Sequence, residues 1–353
     1  MAKTTFARVP MCVWLLLTLL HITLSWNLGV QARNSFANQS LSAREKHDQI
    51  ARSLNVRPGS HAPRIIWRLS WRIHSWFLPL LHAFDTARAR DFDSSLKCLW
   101  CKALASKDTT SPVYDSGIAY DMLPSKSRWI IALPNRIYPR LIHYNIELRT
   151  AYLDDAVRQV RADHPDKKIR LITLGAGYDT RSVRFLTKNT IDEAWELDIK
   201  DVLDSKMIML ERLKSRRPDC VQPNITSVDL NDVSSLRRTL SEITSDRDSN
   251  WHTIFLFEGV LMYLKGEVPD QVLSACASCL QERRQSGSLV FADFLRGVPT
   301  DGDVQTAKNR LAGDGWDLFE SSWTVKPGSA RHMGRARLIS SIPRVMHRFM
   351  NAR

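Results

Sequence analysis

The hydrophobic pattern of the chain predicts several short, buried strands in its middle part. Four apolar runs cover residues 169–174, 193–198, 225–230 and 253–258, and acids or glycine stand at the end of each. Short apolar runs of this kind are typical of parallel strands in an α/β fold. Because ligands bind outside the carboxyl ends of parallel strands, the four strand ends are expected to line one crevice.

The first run leads directly into the sequence LGAGYDTR, which contains a Gly-x-Gly turn. Gly175 and Gly177 lack a Cβ atom, so the backbone can turn tightly and approach a ligand. A dinucleotide fingerprint would have a third glycine where this chain has Thr180, so the turn does not indicate a pyrophosphate. Asp179 and Arg181 follow, and they either form the first turn of a helix or contact the ligand.

Acidic residues end the other three runs. Glu196 and Asp198 lie about twenty residues after the glycine turn, where an acid binds a ribose diol in open α/β folds. Asp229 ends the third run and Glu258 the fourth. Glu258 follows four apolar residues, and a carboxylate near a buried strand end is expected to meet a cation or a donor. Together these residues indicate a ligand with a ribose, an adenine amino group and a cationic centre.

Four motifs, LGAGYDTR, WELD, SVDLND and EGVLMYL, occur in this order, and the set resembles the leucine carboxyl methyltransferase family. The resemblance spans about Leu96 to Leu338. It implies a Rossmann-like class I methyltransferase of the α/β class that uses S-adenosyl-L-methionine. That fold has a mostly parallel seven-stranded sheet, helices on both faces and a C-terminal antiparallel hairpin, here with an N-terminal helical extension. The hairpin strands are expected at 315–323 and 335–339.

The resemblance also implies roles for individual residues. Asp198 would hold the ribose hydroxyls, Arg149 the methionine carboxylate, and Glu258 would lie near the methionine moiety. Asp229 and Leu230 would frame the adenine. The full cofactor site implied by the resemblance, with the residues of the glycine turn, consists of Lys102, Arg149, Gly175, Gly177, Asp179, Asp198, Asp229, Leu230 and Glu258.

The expected reaction is formation of a methyl ester on a carboxylate, as family members perform on the terminal leucine of the protein phosphatase 2A catalytic subunit. A carboxylate with a pKa near ~4 arrives ionised, so no general base is needed. Phosphatase-specific members typically have arginine where this chain has Asn231. A small-molecule acid or hydroxyl is the alternative acceptor, and a non-catalytic, membrane-attached binding protein is the third hypothesis. Tyr263 and Asn231 are the candidate acceptor contacts, and a monomer is expected.

The distribution of charge argues against a nucleic-acid partner. The formal net charge is +13, but residues 1–95 and 321–353 each carry +7, which leaves −1 for residues 96–320. A nearly neutral catalytic part is not suited to following phosphates. Two Cys-x-x-Cys pairs, Cys98 with Cys101 and Cys276 with Cys279, lie in apolar helical patterns, which favours core thiols over a zinc site, and no metal is expected.

The N-terminal part is predicted to carry a targeting signal. Two basic residues precede an apolar stretch, so residues 1–32 are interpreted as a signal peptide or signal anchor that leads to the secretory pathway or an organelle. Residues 33–95 form a linker with a basic, Trp-rich amphipathic segment at 64–78, which either contacts a membrane surface or packs on the catalytic domain. The methyltransferase domain is predicted at 96–342 and a basic tail at 343–353. Asn38 and Asn224 begin glycosylation sequons.

Overall fold

The computed structural model of the protein describes residues 93–107, 113, 115–125, 127–128, 141–246, 250–298, 304–323 and 331–339. The predicted signal, the Trp-rich segment, the basic tail and the predicted linker up to residue 92, together with Asn38, lie outside these residues. Asn224 is exposed at the start of a strand. In the part of the chain that is described, no helix is long and apolar enough to cross a membrane.

A seven-stranded sheet forms the centre of the fold. Its strands are β1 (Lys168–Leu174), β2 (Glu193–Asp198), β3 (Asn224–Ser227), β4 (Trp251–Glu258), β5 (Ser286–Asp293), β6 (Trp316–Trp323) and β7 (His332–Leu338). The strand order is β3-β2-β1-β4-β5-β7-β6. Strands β1 to β5 are parallel to one another, and β7 is antiparallel to both β5 and β6.

This sheet confirms the predicted fold class, including the C-terminal antiparallel pair. The expected bounds of β6 agree with the structure within one residue, whereas β7 begins three residues earlier than expected, at His332. The residues that the prediction left out are His332, Met333 and Gly334, and all three are buried. They pair with the end of β5, where Gly334 lies close to the ring of Phe291, a close approach that glycine permits.

Helices precede and separate the strands. They are α1 (Asp93–Ser106), α2 (Ile118–Met122), α3 (Leu141–Asp163), α4 (Arg181–Thr187), α5 (Lys200–Arg216), α6 (Val233–Ile243), α7 (Val268–Arg283) and α8 (Val304–Gly313), with a 3₁₀ turn at Leu261–Tyr263. Asp232 is the N-cap residue of α6, and its carboxylate accepts a hydrogen bond from the Ser235 N–H at 3.0 Å. α7 has Pro269 in its first turn, where proline does not disturb a helix.

Alternate side chains of the strands face opposite layers of helices, as the pleat of a strand requires. On β1, Ile172 and Leu174 join an apolar cluster with residues of α6, α7 and α8. Ile169 and Leu171 join a second cluster with residues of α3 and α4. The two clusters confirm that helices cover both faces of the sheet.

A third apolar cluster attaches α1 to the rest of the domain. Leu99 and Trp100 of α1 pack with Met122 of α2 and Leu210 of α5, and all four are almost fully buried. Burial of apolar area stabilises the packing of α1 on the domain by about 25 cal/mol for each Å² removed from water. It holds α1 against the glycine turn, where a Cβ atom added at Gly177 would lie 3.0 Å from the Ser95 hydroxyl.

The two Cys-x-x-Cys pairs lie on different helices. Cys276 and Cys279 are buried on α7, while Cys101 is buried on α1 and packs against Ile146. Burial raises the pKa of Cys276 well above its usual value and that of Cys279 to about 12, so both remain protonated thiols. Among the described residues, no group of three or more His, Cys, Asp or Glu side chains could hold a metal ion.

Candidate functional site

The glycine turn lies directly beyond β1 and is held against β2. The N–H groups of Gly175 and Ala176 donate to the Leu197 carbonyl at 2.8 and 3.1 Å. Gly175 has φ +64° and Gly177 has φ +48°, which are conformations that favour glycine. A Cβ atom at Gly175 would overlap the side chain of Val260, so the turn between β1 and α4 and the loop after β4 are in close contact.

Asp198 ends β2 next to this turn. One carboxylate oxygen accepts from the Gly177 N–H at 2.7 Å, and the other accepts from the Ile199 N–H at 2.8 Å. Burial raises the pKa of Asp198, and these two hydrogen bonds oppose the shift. Each carboxylate oxygen has a second lone pair, so both can still accept from a diol. Glu196, the other candidate for the ribose, is fully buried and forms an ion pair with Lys206 at 2.6 Å.

Asp229 and Leu230 follow β3 on the far side of Asp198. The N–H of Val228 donates to the Asp198 carbonyl at 2.9 Å, which fixes the segment beside the end of β2. Asp229 is exposed, whereas Leu230 is almost fully buried. Asn231 is exposed, and its side chain donates to Asp229 at 3.1 Å and accepts from the Lys265 N–H at 3.2 Å.

A buried ion cluster lies at the carboxyl end of β4, formed by Lys102, Arg149, Asp179, Arg181 and Glu258. Lys102 donates to Asp179 at 2.9 Å and to Glu258 at 3.0 Å. Arg149 donates to the other oxygen of Glu258 at 2.8 Å. Arg181 pairs with Asp179 and lies 3.1 Å from Glu258. All five side chains are more than nine-tenths buried, so residues from α1, α3, α4 and β4 meet away from water.

The cluster continues into residues that the sequence did not identify. Asp154 of α3 accepts from Arg181 at 2.7 Å and from Arg184 at 2.5 Å, and Arg184 lies 3.5 Å from Asp115. A charged residue on a helix is usually solvated, so no sequence signal distinguished Asp154 from the exposed acids around it. The extension matters because Asp154 accepts from the Nε of Arg181, while Glu258 accepts from its two terminal nitrogens.

The charges in the buried ion cluster keep its carboxylates ionised. Burial by itself raises the pKa of Glu258, but the positive charges of Lys102, Arg149 and Arg181 outweigh it and lower the pKa to about 2. Burial also opposes the ionisation of Asp179, and Arg181 and Lys102 again reverse the effect, so its pKa falls well below the usual value. Such pairing is what allows buried charges to persist in a protein interior.

A fifth acid at a strand end was missed in the sequence. Asp293 ends β5 as Glu258 ends β4, and its side chain accepts from the N–H groups of Val260, Leu261 and Phe294 at 2.6, 2.9 and 2.8 Å. The apolar run that precedes Asp293 is the same signal that marked the other strand ends. Asp293 thereby fixes the loop that carries Tyr263, which is 60% exposed.

The histidine rings that the structure describes make their contacts away from the buried ion cluster. His252 lies near the start of β4, six residues and about 20 Å from Glu258. It stacks on His164 with 3.8 Å between ring centroids, and burial lowers its pKa to about 3. His332 lies against Ser321 at 2.6 Å and is buried. None of these three rings contacts the buried ion cluster.

The residues at this edge of the sheet fit S-adenosylmethionine chemically. Its methionine end carries a carboxylate and an ammonium, and the buried ion cluster offers guanidinium, ammonium and carboxylate groups there. Its ribose needs paired acceptors, which Asp198 provides. Its adenine needs an apolar wall and a hydrogen-bond acceptor, which Leu230 and Asp229 provide. The individual contacts stay predictions.

The strand order, the antiparallel β7 and the charged residues gathered at the carboxyl edge of the sheet define the class of S-adenosylmethionine-dependent methyltransferases. The chain belongs to the leucine carboxyl methyltransferase family, because the family model "Leucine carboxyl methyltransferase" matches residues 95–277, more than half of its length. S-adenosylmethionine is therefore the cofactor of this protein. No curated protein matches the chain significantly.

Several solved structures resemble the chain. The magnesium protoporphyrin IX methyltransferase of Synechocystis PCC 6803, with bound SAM, is 13% identical, with a TM-score of 0.39 over 56% of this chain and 84% of its own. A methyltransferase of Clostridium acetobutylicum ATCC 824 is 9% identical, with a TM-score of 0.38 over 61% and 99%. LepI in complex with SAM is 12% identical, with a TM-score of 0.36 over 94% and 90%.

Proposed function

We propose that the protein methylates the oxygen of a carboxylate and so forms a methyl ester. S-adenosylmethionine supplies an activated methyl group: an acceptor oxygen bonds to the methyl carbon as the carbon–sulfur bond breaks and its electron pair stays on sulfur. The protein's tasks are then to bind and orient the cofactor and the acceptor and to exclude water. Family membership supports this chemistry.

The observation that carries the proposal is the buried ion cluster, in which three cations meet two carboxylates and which no imidazole from the described rings contacts. Lys102, Arg149 and Arg181 surround Glu258. An ionised carboxylate acceptor loses no proton when it is methylated, so it needs no base. A phenol or alcohol acceptor would instead require a group that removes a proton.

Within this proposal, Glu258, Lys102 and Arg149 hold the methionine end and Asp198 holds the ribose. Because Glu258 is already bound by Lys102 and Arg149, binding of a zwitterion redistributes existing ion pairs and adds no uncompensated charge. That arrangement lowers the desolvation cost of a charged ligand. The exposed Tyr263 and Asn231 are the proposed acceptor contacts at the rim.

A diffusible acid is the second candidate acceptor, and Asn231 is the observation that favours it. Phosphatase-specific family members typically have an arginine at that position. The Asn231 side chain donates to Asp229 and accepts from the Lys265 N–H, and it carries no charge. Asparagine cannot form the charged bidentate pair of an arginine with a terminal carboxylate.

Calorimetric titration of S-adenosylmethionine into the full chain tests the cofactor site. Asp198→Asn and Glu258→Gln should each weaken binding at least tenfold, because each removes a charge-assisted hydrogen bond worth about 1.5–3 kcal/mol. The matched controls are Asp204→Asn and Glu267→Gln, whose carboxylates are exposed; they should bind like the wild type. Equal affinity of all five proteins would contradict the proposed cofactor contacts.

Transfer of a labelled methyl group tests the acceptor. The substrates are a leucine-terminated phosphatase peptide with a free carboxylate, the same peptide with a C-terminal amide, and a panel of small acids and alcohols. The proposal expects label only on carboxylates, released by mild alkali because esters hydrolyse readily. Label that resists alkali, or that appears on the amide or the alcohols, would overturn carboxyl methylation.

A further inference from the structure

An exposed hydroxyl lies between two guanidinium groups where α2 meets the end of α5. Ser125 follows α2 by three residues, and its side chain is exposed to solvent. Its Oγ accepts from the Nη2 of Arg128 at 3.2 Å and from the Nη2 of Arg216, the last residue of α5, at 3.2 Å. A serine oxygen has two lone pairs, so both of them meet a cation here.

The junction of α2 and α5 carries more positive than negative charge. Its carboxylate is that of Asp121, which accepts from Arg128 at 3.4 Å and from Arg217 at 2.6 Å. Within the described part of the chain, Arg216 forms no ion pair, and its Nη1 donates to the carbonyls of Asp121 and Leu123, the second at 2.9 Å. Three guanidinium groups therefore meet one carboxylate.

The donors around the Ser125 oxygen suit an anion better than a neutral hydroxyl. Arginine presents a planar set of N–H groups that matches the oxygens of a phosphate, and hydrogen bonds between charged groups are stronger than those between neutral ones. A phosphoserine has a charge of about −1.5 to −2 at pH 7 and three acceptor oxygens. On the Ser125 oxygen, that group would lie next to both guanidinium groups.

We propose that Ser125 is a phosphorylation site and that Arg128 and Arg216 bind its phosphoryl group. A protein kinase supplies the group from a nucleoside triphosphate. The Ser125 Oγ bonds to the γ-phosphorus as the bond from that phosphorus to the bridging oxygen breaks, and the electron pair stays on the nucleoside diphosphate. The hydroxyl proton passes to a base of the kinase. The inference holds whatever acceptor the methyltransferase uses.

A phosphoryl group at this position would connect α2 to α5 through charge-assisted hydrogen bonds. The two helices already share the third apolar cluster, in which Met122 of α2 and Leu210 of α5 pack with Trp100 of α1. The same helix α1 carries Lys102 into the buried ion cluster. Phosphorylation would therefore strengthen the packing that holds this lysine beside Glu258.

The first test places phosphoserine at residue 125 of the full chain by genetic code expansion and follows its phosphorus NMR signal against pH. The second pKa of a phosphoserine is about 6. Two guanidinium groups favour the dianion and should lower this pKa to about 5. Arg128→Gln combined with Arg216→Gln should return it to about 6. The matched control is phosphoserine at Ser234, an exposed hydroxyl that donates to Asp232 at 2.6 Å, where the pKa should not fall.

Urea unfolding gives an independent measurement. Phosphoserine at residue 125 should lower the unfolding equilibrium constant at least tenfold relative to the unmodified chain, because it adds charge-assisted hydrogen bonds. The ratio should be close to one in the Arg128→Gln/Arg216→Gln background, which is compared with its own unmodified form. An unshifted phosphate pKa, or equal stabilisation with and without the two arginines, would overturn the proposed contacts.

Two further results would overturn the modification itself. Inorganic phosphate could stabilise the unmodified chain as much as phosphoserine does, and lose this effect in the double variant, which would make the two arginines a site for a free anion. The chain isolated from the cells that produce it, with their phosphatases inhibited, could carry no phosphate on Ser125. The proposal expects mass spectrometry to find phosphate on the peptide that contains this serine.

Discussion

At the scale of single residues, the site depends on close backbone contacts as much as on charges. Gly175 combines a positive φ with the side chain of Val260 lying where a Cβ atom would be. Val260 cannot move freely, because Asp293 holds its N–H and that of Leu261. Gly175 is therefore constrained both by its own conformation and by the loop that follows Glu258.

Replacement of Gly175 by alanine separates these two constraints when it is compared with Gly266→Ala. Gly266 also has a positive φ of 52°, but a Cβ atom there would meet nothing within 4 Å. Gly266→Ala should cost about 1 kcal/mol of unfolding free energy from strain alone. Gly175→Ala should cost several times more and abolish cofactor binding. Urea unfolding and calorimetry measure both, and equal costs would show that the contact with Val260 is unimportant.

At the scale of elements, α1 acts as a cover over the glycine turn. Its apolar side packs on α2 and α5. Its polar contribution to the site is Lys102, which joins Asp179 of the turn to Glu258 of β4. The amphipathic pattern of α1 predicts a helix, but only the packing of the three helices brings this ammonium group between two carboxylates from other elements.

Lys102→Met tests this cover through its dependence on pH. The folded-state pKa of Glu258, about 2, lies below the unfolded value of about 4.5, so its ionisation stabilises the protein above pH 4.5 and this contribution disappears as pH falls toward 2. Lys102→Met leaves two buried carboxylates with fewer cations and should cost about 3–5 kcal/mol at pH 7. The variant's Glu258 pKa should rise, so the difference in unfolding free energy from the wild type should narrow as pH falls from about 4.5 to 2.

Urea unfolding at several pH values measures the difference in unfolding free energy between Lys102→Met and the wild type. Carboxylates elsewhere titrate alike in both proteins, so their contributions cancel in this difference. The control is Lys200→Met, which removes an exposed lysine paired with Asp204 and should change stability by less than about 0.5 kcal/mol. A gap for Lys102→Met that is independent of pH would show that the lysine stabilises the protein through packing of its side chain instead.

At the scale of the whole molecule, one sheet with helices on both faces connects every part of the proposed site. Residues from α1, α3, the glycine turn, β2, β4 and β5 meet along one edge. A ligand bound there contacts both halves of the parallel sheet. Its binding energy should therefore stabilise the domain as a unit.

S-adenosylhomocysteine at about 100 times its Kd should stabilise the folded state by about 2.7 kcal/mol and raise Tm by about 5–10 °C. At the same concentration the stabilisation should fall to about 1.4 kcal/mol or less for Asp198→Asn, because its binding is at least tenfold weaker, and should be unchanged for Asp204→Asn. Scanning calorimetry measures it. A thermogram with two transitions, of which the ligand shifts only one, would contradict the single cooperative unit.

The sequence by itself determined the fold class, the order of the strand ends and the positions of Asp198 and Glu258. These are local signals, since apolar runs, glycine turns and terminal acids are contiguous along the chain. Tertiary structure decided which charged helix residues are buried. Arg149 and Asp154 look like ordinary surface charges in the sequence. Their environment depends on partners 109 residues distant for Arg149 and 30 for Asp154, and no local pattern encodes such pairings.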